Sequence, residues 1–427
     1  MSSCLRPWCR SALFLCLLSC GNAVSSAQPL TSGTLDSDAA TAYFLAHSPH
    51  VRALRATGQI AEAGVTTAGT RPNPTFAYEL ESLPGRGGVQ ASTQQAFKLS
   101  QPLLLGGKLA ARRESARREV TRSAAEVEQQ VFVRTVDFRR RFFETLSAAL
   151  TAESLSESLA AIRKVQGLVE RRLREGLAAR YDFLRLRAEA GQLEGQQRGA
   201  ELDLAGQRTL LAGLMGFTSA AAMPLPTGEL EPPGLGPEAL GPLEDHPELV
   251  ELECDLALAR SRLRLARCEA APQVSVFGGS LTFDQGPDQR GFTAGLSVDL
   301  PLSDRRQGER QEASARMAAL ELKRASLALA LKSRRQACLS VYEGEHRRVH
   351  EFREHFIGTL DEVLRTVSAS YAEGRHSLID LLDGLRLHRE SRLTYLRQVA
   401  AARKAFLELE EACGHLLPES ARPSGPR

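Results

Sequence analysis

Phe292-Thr293-Ala294-Gly295-Leu296-Ser297-Val298-Asp299-Leu300-Pro301-Leu302 places two kinds of structure end to end. Phe292, Ala294, Leu296, Val298 and Leu300 alternate with Thr293, Gly295, Ser297 and Asp299, the period of a strand with one apolar and one polar face. Pro301 closes the pattern, and from Ser303 to Glu373 no further Pro occurs. A run of about seventy residues without a breaker makes a helical rod of about 105 Å, far beyond the helices of ordinary globular domains. The partner of the first strand runs from Val274 to Phe283, with Phe277, Leu281 and Phe283 on one face and Asp284 to Arg290 as the loop.

The same order occurs earlier in the chain. Phe76, Tyr78 and Leu80 alternate with Thr75, Ala77 and Glu79, and Val89, Ala91, Phe97 and Leu99 lie opposite Gln90, Ser92, Lys98 and Ser100. A second Pro-free run extends from Gly106 to Glu175. Fixed anchors relate the copies. Pro49 and Pro247, Pro74 and Pro272, Gly176 and Gly374, and Asp182 and Asp380 are each 198 apart, while Pro102 and Pro301 are 199 apart. Such self-similarity marks a duplicated unit. The fold expected is mainly α with a small β part, two tandem repeats of long helical hairpins plus paired strands. Residues 37–216 form the first repeat, opening with a helix at 37–68, with strands at 74–82 and 89–100 and a hairpin at 106–215. Residues 245–416 form the second, opening with a helix at 245–270, with strands at 273–283 and 291–300 and a hairpin at 303–415. A Pro- and Gly-rich stretch, 217–244, joins them as an irregular connector, and 417–427 reads as a disordered tail.

Composition narrows the class. Among 427 residues, 54 basic side chains face 51 acidic ones, which gives no sign of a nucleic-acid partner. Only 5% are aromatic, with Trp8 the one tryptophan, as suits helices sealed by Leu and Ala. Leu155, Leu159, Ile162, Val169 and Leu173 form such a seam. The N-terminus carries Arg6 and Arg10 and then an apolar stretch, Ser11 to Leu18, too short to span a bilayer. Leu17-Leu18-Ser19-Cys20-Gly21 fits a lipoprotein cleavage box, making 1–19 the signal peptide, Cys20 the lipidated first mature residue and 20–36 a linker. Ordinary cleavage after Ala27 is the other reading. No later segment offers eighteen consecutive apolar residues, so a membrane crossing must use strands. The strands are the nine to eleven residues that a tilted crossing needs. Four cannot close a barrel, so several protomers would share one. A soluble four-stranded sheet packed on helices is the competing reading of the same alternation.

The chemistry of a catalyst is missing from the pattern. Cys254, Cys268, Cys338 and Cys413 show no metal-site spacing and read as apolar fillers. His346 and His350 share a helix face, but Arg347, Arg348 and Arg353 surround them and oppose a cation, so a solvated face is expected and no metal site. Gly85-Arg86-Gly87-Gly88 falls in a hairpin loop, which is no phosphate cradle. No nucleophile–base set is found at motif spacing; no enzyme activity and no cofactor are expected.

Taken together with the two copies and the paired strands, the turn Tyr371-Ala372-Glu373-Gly374-Arg375-His376-Ser377-Leu378-Ile379-Asp380-Leu381-Leu382-Asp383 resembles the TolC-like outer membrane factor family, over nearly all of the mature length. Arg71-Pro72-Asn73-Pro74 and Gln101-Pro102-Leu103-Leu104-Leu105-Gly106-Gly107-Lys108 look most like its heavy-metal efflux branch, of CzcC or CusC type. The resemblance implies a homotrimer, a twelve-stranded barrel in outer-membrane lipid and a helical barrel in the periplasm. It implies docking through a periplasmic adaptor to an inner-membrane RND-type pump, which supplies the energy. Heavy-metal cations are the cargo it implies. Asp380 and Asp383 match the family's acidic constriction at the periplasmic tip, with Asp182 as the counterpart in the first copy; a capping aspartate near a helix start is the other reading of Asp182. Gly176 and Gly374 mark the tip turns. His376, beside Arg375, stands where the family often has a basic residue, so a titrating group there makes pH-dependent closure an expectation. A pore-less exported coiled-coil scaffold or adaptor is the alternative function. An adaptor should carry a compact lipoyl-like β domain, and none is evident.

Overall fold

A computed structural model describes residues 34–83, 92–283, 289–373 and 375–418. The leader with Cys20, the loop glycines 85, 87 and 88, the strand start at 89–91, Gly374 and the tail beyond 418 lie outside the described residues. The chain runs β1 (Thr34–Leu35), α1 (Ser37–His47), α2 (Pro49–Gly69), β2 (Thr75–Leu83), β3 (Ser92–Leu103), α3 (Lys108–Arg174), α4 (Arg180–Met215), β4 (Leu225–Pro226), α5 (Pro247–Glu269), β5 (Gln273–Phe283), β6 (Arg290–Asp299), α6 (Gln307–Phe352), a π turn (Arg353–Ile357), α7 (Gly358–Ala372) and α8 (Leu378–Cys413).

The opening helix is divided at Ser48, because Pro49 cannot donate to the preceding turn and instead starts α2. The first rod, α3, is unbroken over 67 residues, about 100 Å. The second rod is not. Arg353–Ile357 forms a π turn between α6 and α7. A turn of this kind puts an extra residue into the hydrogen-bond ladder and resets which face of the following helix meets its neighbour.

β2, β3, β5 and β6 form one antiparallel sheet in that order. Register assigns its faces. Tyr78 pairs with Phe97, Phe97 with Ser280 and Ser280 with Phe292; Leu99 pairs with Phe76 and Gly278, and Val276 with Leu296. One face therefore collects Phe76, Tyr78, Leu80, Phe97, Leu99, Val274, Val276, Phe292, Leu296 and Val298. Nothing among the described residues covers it: Phe292 is 87% exposed, and Phe76 and Leu296 are each 67% exposed. The opposite face carries Glu79, Lys98, Thr293, Ser297 and Asp299. Phe277, Leu281 and Phe283 share that polar face, so aromatic content alone misplaces β5. Phe277 lies there under Lys98, whose Nζ is 5.5 Å from the ring centroid. Gly295 on β6 leaves the room, since a Cβ there would stand 2.7 Å from the ring.

The helices carry two cores. The larger joins α1, α3, α4, α6 and α8 around Phe44, Phe138, Phe142, Met215, Tyr342 and Phe406. A buried ion pair crosses it. Arg139 donates from Nε and Nη2 to the Glu410 carboxylate at 3.2 and 3.1 Å, and Glu410 also accepts the Leu417 N–H at 2.9 Å. The second core runs down the hairpins: Leu155, Leu159, Ile162 and Val169 of α3 meet Leu186, Ala190 and Leu193 of α4 and Leu378, Leu381 and Leu382 of α8.

The connector is more ordered than an irregular stretch. Leu225–Pro226 pairs in parallel with Thr34–Leu35, which places part of the expected N-terminal linker in a ladder. Beyond it, the carbonyls of Glu229, Leu230 and Glu231 accept hydrogen bonds at 2.8–2.9 Å from buried Arg403, whose guanidinium lies 4.1 Å over the Phe143 ring. Buried carbonyls without ladder partners need such donors. No described helix is long and apolar enough to cross a membrane.

Candidate functional site: the hairpin tips

The far ends of the two hairpins are built alike. In the first, Gly176 at φ +74° follows α3; its N–H bonds Leu173 O and the Leu177 N–H bonds Arg172 O at 2.7 Å. This is the pairing that ends a helix on a left-handed residue, for which glycine is the natural choice. In the second hairpin the Arg375 N–H bonds Ser370 O at 2.9 Å, again five residues back and 198 residues on.

The helices leaving the turns start differently. Ser377 caps α8: its Oγ accepts from the Asp380 N–H at 3.3 Å, while the Asp380 carboxylate accepts from the Ser377 N–H at 3.0 Å and Oγ at 2.7 Å. That reciprocal pair is a capping box. The Ser377 bonds, side chain first, hold the Asp380 carboxyl below the usual carboxylate range, with His376 adding to the effect. His376 Nδ1 lies 3.5 Å from Asp380 Oδ2. In the first copy Ala179 occupies the capping position and offers no hydroxyl. Asp182 sits three residues into α4, and its carboxylate has no hydrogen-bond partner among the described residues.

Asp383 lies one turn on from Asp380, exposed, with Arg386 Nη1 at 3.9 Å. Arg386 turns away from it: Nε donates to Glu189 Oε1 of α4 at 3.0 Å, and Nη2 holds the other oxygen. Arg389 approaches the same carboxylate at 3.6 Å. The Arg386 hydrogen bond is the largest reason the Glu189 carboxyl falls below its ordinary range. Thus His376 and Asp380 are brought together, Asp383 reaches the inter-hairpin link, and Asp182 stands on the other hairpin. The sequence reading missed Ser377 and Glu189. Ser-x-x-Asp ahead of an apolar run signals the first; an acid between Leu186, Ala190 and Leu193 on a seam signals the second.

Elsewhere the polar clusters are tied up. His350 Nε2 lies 3.5 Å from Glu354, and Arg353 reaches its Nδ1 at 3.4 Å. Burial lowers the pKa of His346. Among the described residues no group of three metal-capable side chains converges. Cys254, Cys268, Cys338 and Cys413 are free thiols, and burial pushes Cys413 up to about 11.

Exposed apolar sheet, long rods and paired tips together match one class of fold, that of the outer membrane channels whose barrel continues into helices. The profile of the outer membrane efflux protein family matches residues 43–216. The nickel-cobalt-cadmium resistance protein NccC of Alcaligenes xylosoxydans xylosoxydans is 24% identical over 299 residues, 69% of this chain and 68% of the relative. The solved structure of CusC shares the fold with a TM-score of 0.67 at 17% identity, over 89% of this chain and 92% of that one. The outer membrane protein VceC from Vibrio cholerae does so with 0.68 at 17%, over 89% and 96%. The chain thus resembles the TolC-like outer membrane efflux proteins, in sequence over residues 43–216 and in fold over most of its length. Channels of this family are trimers that work with an adaptor and an inner-membrane pump.

Proposed function

We propose that three copies of this chain close one twelve-stranded barrel and conduct heavy-metal cations outward, driven by an RND-type pump reached through a periplasmic adaptor. The sheet carries this reading. Its outer strands, β2 and β6, each have one free edge among the described residues, and its apolar face is bare. A bare edge and a bare apolar face are both liabilities in water. Three sheets joined edge to edge in lipid remove both at once. The likeness to NccC favours nickel, cobalt and cadmium as cargo. At the other end, the tips bring Asp380, Asp383 and Asp182 toward the axis as a cation-favouring constriction, held by the turns at Gly176 and Gly374, with His376 beside it. Cys20, as a lipidated residue, would anchor the chain to the same membrane. Full-length protein in planar bilayers is expected to give discrete, cation-selective conductance from trimers; folded protein that remains monomeric and silent overturns the channel reading. Deleting the gene should sensitise cells to nickel, cobalt or cadmium, and unchanged growth on all three overturns the cargo.

A further inference from the structure

We propose that three of the four strand–helix junctions, those of β2, β5 and β6, form a basic collar that holds the phosphates of acidic glycerophospholipids in the membrane leaflet facing the helices. The inference rests on the sheet being a barrel wall. All four strands join their helices at one edge, where Thr75 pairs with Ser100, Val274 with Leu103 and Gln273 with Asp299. Each junction carries a cation within six residues of its strand: Arg71 before β2, Lys108 after β3, Arg267 before β5 and Arg305 after β6. Some cations of this zone are used inside the fold. Buried Lys108 donates to Ala271 O at 2.7 Å, Arg112 pairs with Glu269 at 2.6 Å, Arg113 donates to Gly69 O at 3.0 Å, and Arg306 pairs with Glu309. The rest are not used in this way. Arg71, Arg264, Arg267, Arg305 and Arg310 are exposed, and their guanidinium groups have no partner among the described residues.

Charge is distributed unevenly along the strands. In sequence, the segments toward the opposite sheet edge carry Glu79, Glu81, Asp284 and Asp288 against Arg86, Lys98 and Arg290, whereas at the helix side Arg71, Lys108, Arg112, Arg113, Arg264, Arg267, Arg305, Arg306 and Arg310 outnumber Glu269, Asp299, Asp304, Glu309 and Glu312. The cations therefore gather at the helix side, where the apolar face ends. Lipid headgroups lie at that depth, immediately beyond the hydrocarbon that the apolar face meets. A guanidinium fork matches phosphate oxygens two at a time, and clustered arginines at a membrane surface favour anionic lipid. Charge complementarity and continuity with the apolar band thus select one occupant, an acidic phospholipid headgroup.

Native mass spectrometry of full-length trimers, released from nanodiscs of phosphatidylglycerol mixed with phosphatidylcholine, tests the collar. The expected result is retained phosphatidylglycerol adducts. Arg71→Gln/Arg305→Gln/Arg310→Gln should lower them by more than about tenfold, while Arg347→Gln/Arg348→Gln, roughly 55 Å along the rod from Arg310, should leave them unchanged. Raising salt on unaltered protein should also strip them, which keeps the idea testable if the triple variant misfolds. Equal retention of both lipids, salt-insensitive binding, or unchanged adducts in the triple variant overturns the collar. Full displacement by millimolar inorganic phosphate makes the site one for free phosphate and overturns the lipid assignment. Conductance of the same preparation separates the two ideas: a silent protein overturns the channel, whereas a conducting one that ignores lipid charge overturns the collar alone.

Discussion

His246 shows how one side chain makes stability depend on pH. It caps α5, with Nδ1 accepting the Glu248 N–H at 3.3 Å, and so Nε2 is the nitrogen that donates to Glu411 O at 3.3 Å. The neutral ring uses both nitrogens, and protonating Nδ1 destroys the cap. Burial is the largest cause of its lowered pKa. A histidine lowered in the folded state contributes stability above its ordinary pKa of about 6.5 and loses it as pH falls through the folded value. Thermal unfolding from pH 8 to pH 5 should therefore show a steeper loss for the native protein than for His246→Asn, whose amide still caps but does not titrate. Glu410 offers a larger effect at constant pH. Glu410→Leu leaves the Arg139 guanidinium buried without its carboxylate and should cost about 3–5 kcal/mol in denaturant unfolding. Neither residue was legible in advance, since a capping histidine and an ion pair 271 residues apart leave no local pattern.

At the scale of elements, periodicity carried most of the information. The strand of Phe292 to Asp299, the breaker-free first rod and the 198-residue repeat follow from side-chain period and from where Pro and Gly fall, both properties of short segments. Three features needed tertiary knowledge. The face of β5 depends on which neighbour it meets, and there Gly278 and Gly279 interrupt the apolar series while Phe277 finds cover from Lys98 on the polar side. The π turn at Arg353–Ile357 has no composition of its own. The connector is ordered by Arg403, a residue more than 170 positions away. The sheet itself yields a paired prediction. A Cβ at Gly279 would stand 2.1 Å from the Phe97 carbonyl oxygen, a backbone atom that cannot move without breaking β3 from β5, whereas at Gly295 it meets a ring that can tilt. Gly279→Ala should therefore abolish trimer assembly in membrane extracts, and Gly295→Ala should only reduce it. The opposite ranking would mean that the strands are not held in this register.

For the whole molecule, the proposed constriction puts the gate at the tips, and the two aspartates of α8 are not equivalent there. Asp380 is committed to its helix: Ser377 donates twice to its Oδ2, although the side chain is exposed. Asp383 is bound by a single 3.9 Å approach from Arg386, whose main partner is Glu189 across the hairpins. Both were legible as an acidic pair from the turn that precedes them, but their division of labour required the hydrogen bonds. In a trimer the constriction should therefore be set chiefly by three Asp383 carboxylates, with Asp380 shaping the start of the helix. Asp383→Ala is expected to weaken cation selectivity in planar bilayers while leaving thermal stability within about 0.5 kcal/mol, as befits an exposed surface position. Asp380→Ala should fray α8, seen as faster amide hydrogen exchange over its first turn, with a smaller change in selectivity. Glu189→Gln should weaken the tie to Arg386 and Arg389, raising conductance by letting α8 move against α4 without altering the charge at the axis. Equal selectivity losses from Asp380→Ala and Asp383→Ala would show that both carboxylates face the lumen, and unchanged conductance in the double variant would place the constriction elsewhere in the tube.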